Sequence, residues 1–410
     1  MPVKRFSSDA TAGDIRALSP DAPSAAVAEI IETVKGGGDS ALLELEARFG
    51  VAPEKGLAVD PAIIAAAPSE IETDLLEALK LAIANVRAVA GAKLSEAPEI
   101  ALPQGQQVRY RNEPVRRAAA YVPGGRGSYP STAVMCLTTA VVAGVDGVCV
   151  FSPPREHGEV DTAVLAVCAL LGIEEVYRVG GAQSIAAAAF GTETIAPVDV
   201  VVGPGNSFVQ EAKRQLVGRI GIDSVAGPSE LVIVADGGAD AQLAALDLMA
   251  QGEHGPDSLV CLIATDDDLI DAVEAECAEI GAELALVRAD DLQQAVALAE
   301  SIAPEHLQLM VAETVADDLA AGVRSAGAVF VGRNAATAFG DYVIGTNHVL
   351  PTGGSARHAS ALSIDTFRRS VAEIRVPDSA VDTLAEAGAT IARGESFIWH
   401  AKSMEARRRD

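Results

Sequence analysis

The sequence predicts an α/β protein with two doubly wound, incomplete Rossmann-like domains, a small N-terminal arm and a helical C-terminal tail. Three observations carry the α/β prediction. From about residue 140, short β-branched runs alternate with Ala-rich helical stretches, the pattern of βα units that build a parallel sheet. Those runs are continuously apolar rather than alternating, so both faces of each sheet should be covered by helices. With 410 residues, 49% of them apolar, the chain can bury two or more cores.

The elements follow in order. The start, MPVKRFSSDATAGD, has basic residues without an apolar segment behind them, which is not the plan of a secretory leader. Residues 24–95 read as mainly helical: AAVAEIIETVKGGGD runs into a glycine stop, and IETDLLEALKLAIANVRAVAGA is a long amphipathic stretch. Strands are predicted at 147–151, 175–179, 199–203, 231–236, 259–265, 284–289 and 328–332. After Pro377 the chain turns helical and polar and ends in HAKSMEARRRD, apart from the sheets.

Composition excludes several classes of function. The longest apolar candidate, TTAVVAGVDGVCVF, is interrupted by Asp146, too early for a membrane span. A formal charge of −26 opposes a nucleic-acid footprint, which needs clustered Lys and Arg. A small-molecule ligand and the cytoplasm fit better. The five cysteines form no CxxC pair and read as buried free thiols.

Three strand-to-helix junctions are glycine-rich: YVPGGRGSYPS, VGGAQS and VGPGNS. Glycine lets the backbone turn sharply and approach a ligand, and the following helix offers free N–H groups to an anion such as a pyrophosphate. None is GxGxxG, and no acid stands at the spacing of a ribose contact. Each alone reads as well as a tight connection; three between residues 121 and 207 point to one ligand crevice.

The chain has six histidines, four of them in polar clusters: QGEH, PEHL, GDYVIGTNH and ESFIWH. Gln251 and His254 stand three residues apart on one helical face, so their side chains converge at the helix end. With Asp341 and His400 they supply two imidazole nitrogens, a carboxylate and an amide oxygen, suited to Zn²⁺ or Mn²⁺ with substrate completing the shell. A structural zinc would prefer cysteines, so the set implies an open, catalytic site. In PEHL, Glu305 and His306 are adjacent and suit proton transfers in which each serves a different step.

Together these residues strongly resemble the histidinol dehydrogenase family. The matching segments are YVPGG, GGAQSIAAAAFGTE, VGPGN followed by AKRQLVGRIGIDSVAGPSE, QGEHGPDS, PEHL, GDYVIGTNHVLPTGG and ESFIWH. The resemblance implies oxidation of L-histidinol through the aldehyde to L-histidine, the last step of histidine biosynthesis, with two NAD⁺ in succession and one Zn²⁺. It implies Gln251, His254, Asp341 and His400 as zinc ligands, His400 coming from the partner of a homodimer that exchanges its tails, and Glu305 and His306 as the acid/base pair. Ser229, His348 and Glu395 resemble substrate contacts alongside the zinc ligands and His306, and Tyr121, Gln183 and Asn206 resemble NAD contacts. On this reading residues 1–23 are the arm, 24–120 with 229–365 the substrate and zinc domain, 121–228 the NAD domain, and 366–410 the tail that reaches the partner's site.

One departure stands out. Arg126 follows Gly124 and Gly125 where a small or apolar residue is expected, and with His358 it admits an anionic substrate such as a sulfonated diol, oxidised by a paralogous zinc and NAD enzyme. Glu395 opposes that alternative, because a carboxylate suits an imidazole N–H and not a sulfonate. A metal-dependent hydrolase would explain the metal set and PEHL but would leave the glycine loops without a task.

Overall fold

The computed structural model describes residues 3–16, 23–94, 98–124, 127–155, 157–277 and 281–408. The chain divides into two compact units, one of residues 1–93 with 115–367, the other of 94–114 with 368–410.

The larger unit contains two parallel sheets. In the first, strands lie in the order Glu175–Tyr177, Gly147–Phe151, Arg117–Tyr121, Val200–Val202, Gly221–Ile222. In the second the order is Val3–Phe6, Leu284–Arg288, Leu259–Ala264, Glu230–Ala235, His306–Met310, Ala328–Val331. Each sheet grows outward from its first βα strand in one direction and then restarts on the other side of it. Two switch points result, beside Arg117–Tyr121 and beside Glu230–Ala235, where diverging connections leave room for a ligand.

All seven predicted strands form, within two residues of their expected ends. The sequence missed His306–Met310, the switch-point strand, because His and Gln interrupt its apolar run; it is nevertheless buried at every position. Val3–Phe6, expected as part of an arm, is an edge strand paired with Leu284–Arg288. The glycine stop after residue 35 is a kink: helix Ser24–Phe49 continues through Gly38, whose φ of 54° leaves the helical region.

The helices Ser24–Phe49 and Thr73–Gly91 share their buried residues with the first sheet: Val27 and Leu42 pack with Tyr121 and Tyr177, and Leu79 and Val86 with Ala118 and Val134. The sequence had grouped 24–120 with 229–365. All five cysteines are buried free thiols, and burial pushes the Cys261 thiol up to about 12. No helix among the described residues is long and apolar enough to cross a membrane.

The smaller unit is an antiparallel sheet in the order Arg368–Arg375, Gln107–Pro114, Glu99–Ala101, followed by helices Asp378–Gly394 and Ile398–Glu405. Those helices close on Ala389, Ala392, Ala401 and Met404. Polar residues on both faces of the strands hid the sheet from a reading based on apolar periodicity.

One buried ion pair fixes the third glycine loop. Lys213 is fully buried, donates to Asp223 Oδ1 at 2.7 Å and to the Gly203 carbonyl, while Gly203 N–H donates to Asp223 Oδ2 at 2.7 Å. Gly203 has φ 114°, and a Cβ there would lie 2.2 Å from the Tyr121 carbonyl, so the loop must be glycine at this point. Removing one partner strands a buried charge. Lys213→Met is expected to cost about 3–5 kcal/mol in chemical denaturation, with the folded spectrum preserved at low temperature.

Candidate active site

At the amino end of the second sheet's switch point, Glu230 and Glu305 start or precede neighbouring strands and bind each other twice. Glu230 N–H donates to Glu305 Oε2 at 2.8 Å, and Glu305 N–H donates to Glu230 Oε2 at 3.2 Å. Arg16 grips the Glu230 carboxylate with two nitrogens at 2.7 and 3.1 Å, and Gly353 N–H adds a bond at 2.9 Å. Neither Arg16 nor Glu230 was singled out from sequence, since an isolated charge at a strand edge carries no motif.

His306 Nδ1 lies 2.9 Å from the Glu230 carbonyl oxygen. A carbonyl only accepts, so Nδ1 carries the proton and Nε2 is left with its lone pair. Burial first, then the nearby His348 and His254, lower the His306 pKa to about 4. Its ring is therefore a neutral base at pH 7. Nε2 lies 3.9 Å from Asp341 Oδ1, and the ring of Phe330 walls the other side at 5.9 Å between centroids.

His348 repeats the arrangement. Its Nδ1 donates to the Asp341 carbonyl at 2.8 Å, its Nε2 lies 3.4 Å from Thr132 Oγ1, and burial lowers its pKa to about 4. The carboxylic acids move oppositely. Burial raises Asp341 to about 6, and it raises Glu305 well above the usual range, with the charges of Glu230 and Asp341 adding to the shift.

Gln251 lies in the last turn of helix Ala241–Gly252, which runs back from the strand Glu230–Ala235 to its amino end. The helix stops two residues short of His254, which the sequence placed on its face. His254 sits in a turn beyond it, its N–H 3.3 Å from the Gln251 carbonyl, and burial lowers its pKa. Gln251 Nε2 is buried without a hydrogen-bond partner among the described residues. One turn earlier, Asp247 accepts from Gln308 Nε2 at 2.7 Å.

Glu305, His306, Asp341, His348 and His254 thus sense one another directly or through their charges. Ser229 immediately precedes Glu230, half-buried. Glu395 and His400 belong to the smaller unit, both exposed there, with Ile391, Phe397, Ile398 and Trp399 also exposed, Trp399 at 79%. Among the described residues no group of three or more His, Cys, Asp or Glu side chains is gathered closely enough to hold a metal ion. Three of the four predicted ligands lie in the larger unit and one of those is a glutamine; His400 lies in the other. Arg126 lies outside the described residues, and His358 is exposed after the turn Ser355–Arg357.

The three glycine loops face a single cavity of 950 Å³ at the carboxyl ends of the first sheet, where a doubly wound sheet holds its ligand. Tyr121, Gln183 and Asn206 all line it. Asn206 Oδ1 caps helix Ser207–Leu216 by accepting from Phe208 and Val209 N–H at 3.1 Å. Its amide N–H groups remain for a ligand.

A buried base beside raised carboxyl groups, in a chain that also carries a glycine-walled cavity, defines an α/β enzyme of proton-transfer chemistry. Comparison with known proteins narrows the class. The histidinol dehydrogenase family model matches residues 16–408. Histidinol dehydrogenase of Cereibacter sphaeroides is 41% identical, covering 98% of this chain and 96% of its own, and that of Synechococcus sp. is 42% identical, covering 93% and 92%. The crystal structure of histidinol dehydrogenase from Elizabethkingia anophelis superposes with a TM-score of 0.93 at 28% identity, covering 99% of this chain and 98% of that one. The chain belongs to the histidinol dehydrogenase family.

The bonding of the two imidazoles makes a direct prediction. In ¹⁵N-labelled, chelator-treated protein, His306 and His348 are expected to show the neutral Nδ1–H tautomer at pH 7. Their folded pKa lies below the ordinary 6.5, so both should stay neutral down to about pH 5, where an exposed histidine is already charged.

Proposed function

We propose that this protein oxidises L-histidinol to L-histidine in two successive NAD⁺-dependent steps, closing histidine biosynthesis. One observation supports this above the others. In a chain matched to histidinol dehydrogenases along nearly its whole length, His306 is held neutral with a free Nε2, the form a base needs to accept a hydroxyl proton. The comparisons lend no support to the sulfonated-diol alternative.

The residues fit zinc. The buried terminus of Gln251 lacks a partner, and turning the amide would offer its oxygen instead of its nitrogen. His254 is kept neutral by burial, and Asp341 is a carboxyl group whose charge the protein does little to stabilise. Gln251, His254 and Asp341 would hold the ion with His400 supplied by the partner subunit of a homodimer. When bound, zinc would grip the substrate's nitrogens and polarise its alcohol oxygen.

The chain's own groups then divide the work. In the first oxidation His306 Nε2 takes the hydroxyl proton while the carbinol hydride passes to NAD⁺, giving the aldehyde. In the second, ionised Glu305 takes a proton from water as its oxygen adds to the aldehyde carbon. The resulting gem-diol anion loses a second hydride to a second NAD⁺, and overall the alcohol, one water and two NAD⁺ yield the carboxylate, two NADH and three protons. Glu305's raised pKa makes it a stronger base than an ordinary carboxylate once ionised. Ser229, His348 and Glu395 would contact the substrate, and the 950 Å³ cavity with Tyr121, Gln183 and Asn206 would receive NAD⁺.

What supports the exchange of tails is the smaller unit itself: Glu395 and His400 are exposed beside Phe397, Ile398 and Trp399, apolar side chains that water should not face for long. The cytoplasm is the compartment this reading assigns.

Purified protein is expected to form two NADH per L-histidinol and none with sulfopropanediol. His306→Asn and Glu305→Gln should each lower turnover by about 10²–10⁴ at unchanged zinc content, and wild-type rates in both variants would remove them from the mechanism. Glu305→Gln and His400→Ala chains, each inactive alone, are expected to regain about a quarter of wild-type activity when co-assembled, because one site of each mixed dimer is then intact. No recovery would show that each chain uses its own tail.

A further inference from the structure

The cavity has a carboxylate that the sequence did not reveal. Glu46 comes from helix Ser24–Phe49, far from any glycine loop, yet it lines the same cavity as Gly180, Gly181 and Gln183. It is 2% exposed, and a single oxygen, Oε1, accepts from Gly180 N–H at 2.9 Å and from Gln183 Nε2 at 2.7 Å. Oε2 takes no hydrogen bond from a described residue.

Those bonds settle which way the Gln183 amide faces. With Nε2 committed to Glu46, Oε1 turns toward Gly181, so close that a Cβ on residue 181 would meet it at 2.7 Å. Gly181 has φ 57° and also gives its N–H to Tyr121 Oη at 3.4 Å. Without Glu46 the two ends of the amide would be nearly equivalent, and half of its orientations would aim a donor where an acceptor now stands. A buried carboxylate is costly unless something is gained by keeping it there. Burial does raise the Glu46 pKa against the two donors that hold it, and Oε1 can accept from both whether the carboxyl is ionised or carries its proton on Oε2.

We propose that Glu46 is a positioning residue of the dinucleotide cavity: it locks Gln183 with its carbonyl oxygen presented to NAD⁺ and ties that amide to the glycine turn at Gly180. This rests on the NAD⁺ reading of the cavity given above. The ligand group facing Gln183 must then be a hydrogen-bond donor, a ribose hydroxyl or the carboxamide NH₂, and not a phosphate.

The test is a cycle of variants read by calorimetric NAD⁺ binding to the zinc-loaded protein, with KM and kcat alongside. Gln183→Ala and Glu46→Ala should each weaken NAD⁺ binding about 5- to 20-fold and raise the KM for NAD⁺ in parallel. Because Glu46 acts through Gln183, adding Glu46→Ala to Gln183→Ala should weaken binding by less than about twofold more. Glu46→Gln keeps an acceptor at Oε1 and should recover most of the loss, whereas Glu46→Asp, which keeps the charge but withdraws it by one methylene, should not. If Glu46→Ala fails to fold, the Gln and Asp variants still decide. Additive effects in the double variant, or equal binding by the Gln and Asp variants, would overturn the proposal. If Gln183→Ala binds NAD⁺ as tightly as wild type, it is the NAD⁺ reading of this cavity that fails, and Glu46 loses its role with it.

Discussion

The hydrogen bonding of Glu230 is the constraint on which the rest of the active site depends. Its backbone N–H holds Glu305, its carbonyl fixes the proton of His306 on Nδ1, and its carboxylate binds Arg16, Gly353 and the Glu305 N–H. One residue thereby sets the position of an acid, the tautomer of a base and the register of two neighbouring strands. Parallel pairing of Leu231 with His306 makes this possible, because it brings the start of one strand level with the start of the next. A register slip of one residue would turn His306 to the other face of the sheet and leave the Glu230 carbonyl without its donor.

Burial acts on this cluster in two directions at once. It lowers His306, His348 and His254 and raises Glu305 and Asp341, so that neither the imidazoles nor the acids are held in their charged forms by the protein alone. Neutral imidazoles are the forms that accept a proton or bind a cation, and a carboxyl with a raised pKa gains most when a cation arrives. The same burial that makes the site expensive to build makes it responsive to what enters it.

The sequence revealed seven of the strands because each is a short apolar run, and the glycine loops because few other residues can turn so tightly; Arg117–Tyr121, opened by arginine and built on alanine, escaped it. It revealed the histidine clusters because polar residues stand out against Ala-rich helices. It missed what depends on register and approach. His306–Met310 did not read as a strand because His306 and Gln308 interrupt its apolar run, although both are buried, and Glu230, Arg16 and Thr132 act only where strands or helices come together. His254 was placed on a helix face, whereas the helix ends at Gly252 and a turn carries the ring. Glu46 illustrates the limit: no local pattern connects it to Gln183, 137 positions later, because only the packing of Ser24–Phe49 on the first sheet joins them. The absence of an acid at the usual ribose spacing remains true in sequence, although an acid does line the cavity in space.

The helix Pro130–Ala143 links the two centres. Its N-cap Tyr129 lines the glycine cavity, Thr132 one turn later reaches His348, and the Met135 carbonyl and Thr139 hydroxyl accept from Asn347 at 3.0 and 3.2 Å. Its buried face packs with Val349, Leu362 and Phe367, so the segment that follows the proton-transfer residues is fixed to the helix that follows the first glycine loop. On the proposed reaction, hydride and proton leave neighbouring atoms of one alcohol, and they can be collected by groups on two different sheets only if the sheets keep a set distance. A packed helix with hydrogen bonds at successive turns is stiff enough to keep it, whereas two glycine-rich segments joined directly would not be. Tight packing along that helix is therefore as much a requirement of the chemistry as the base itself.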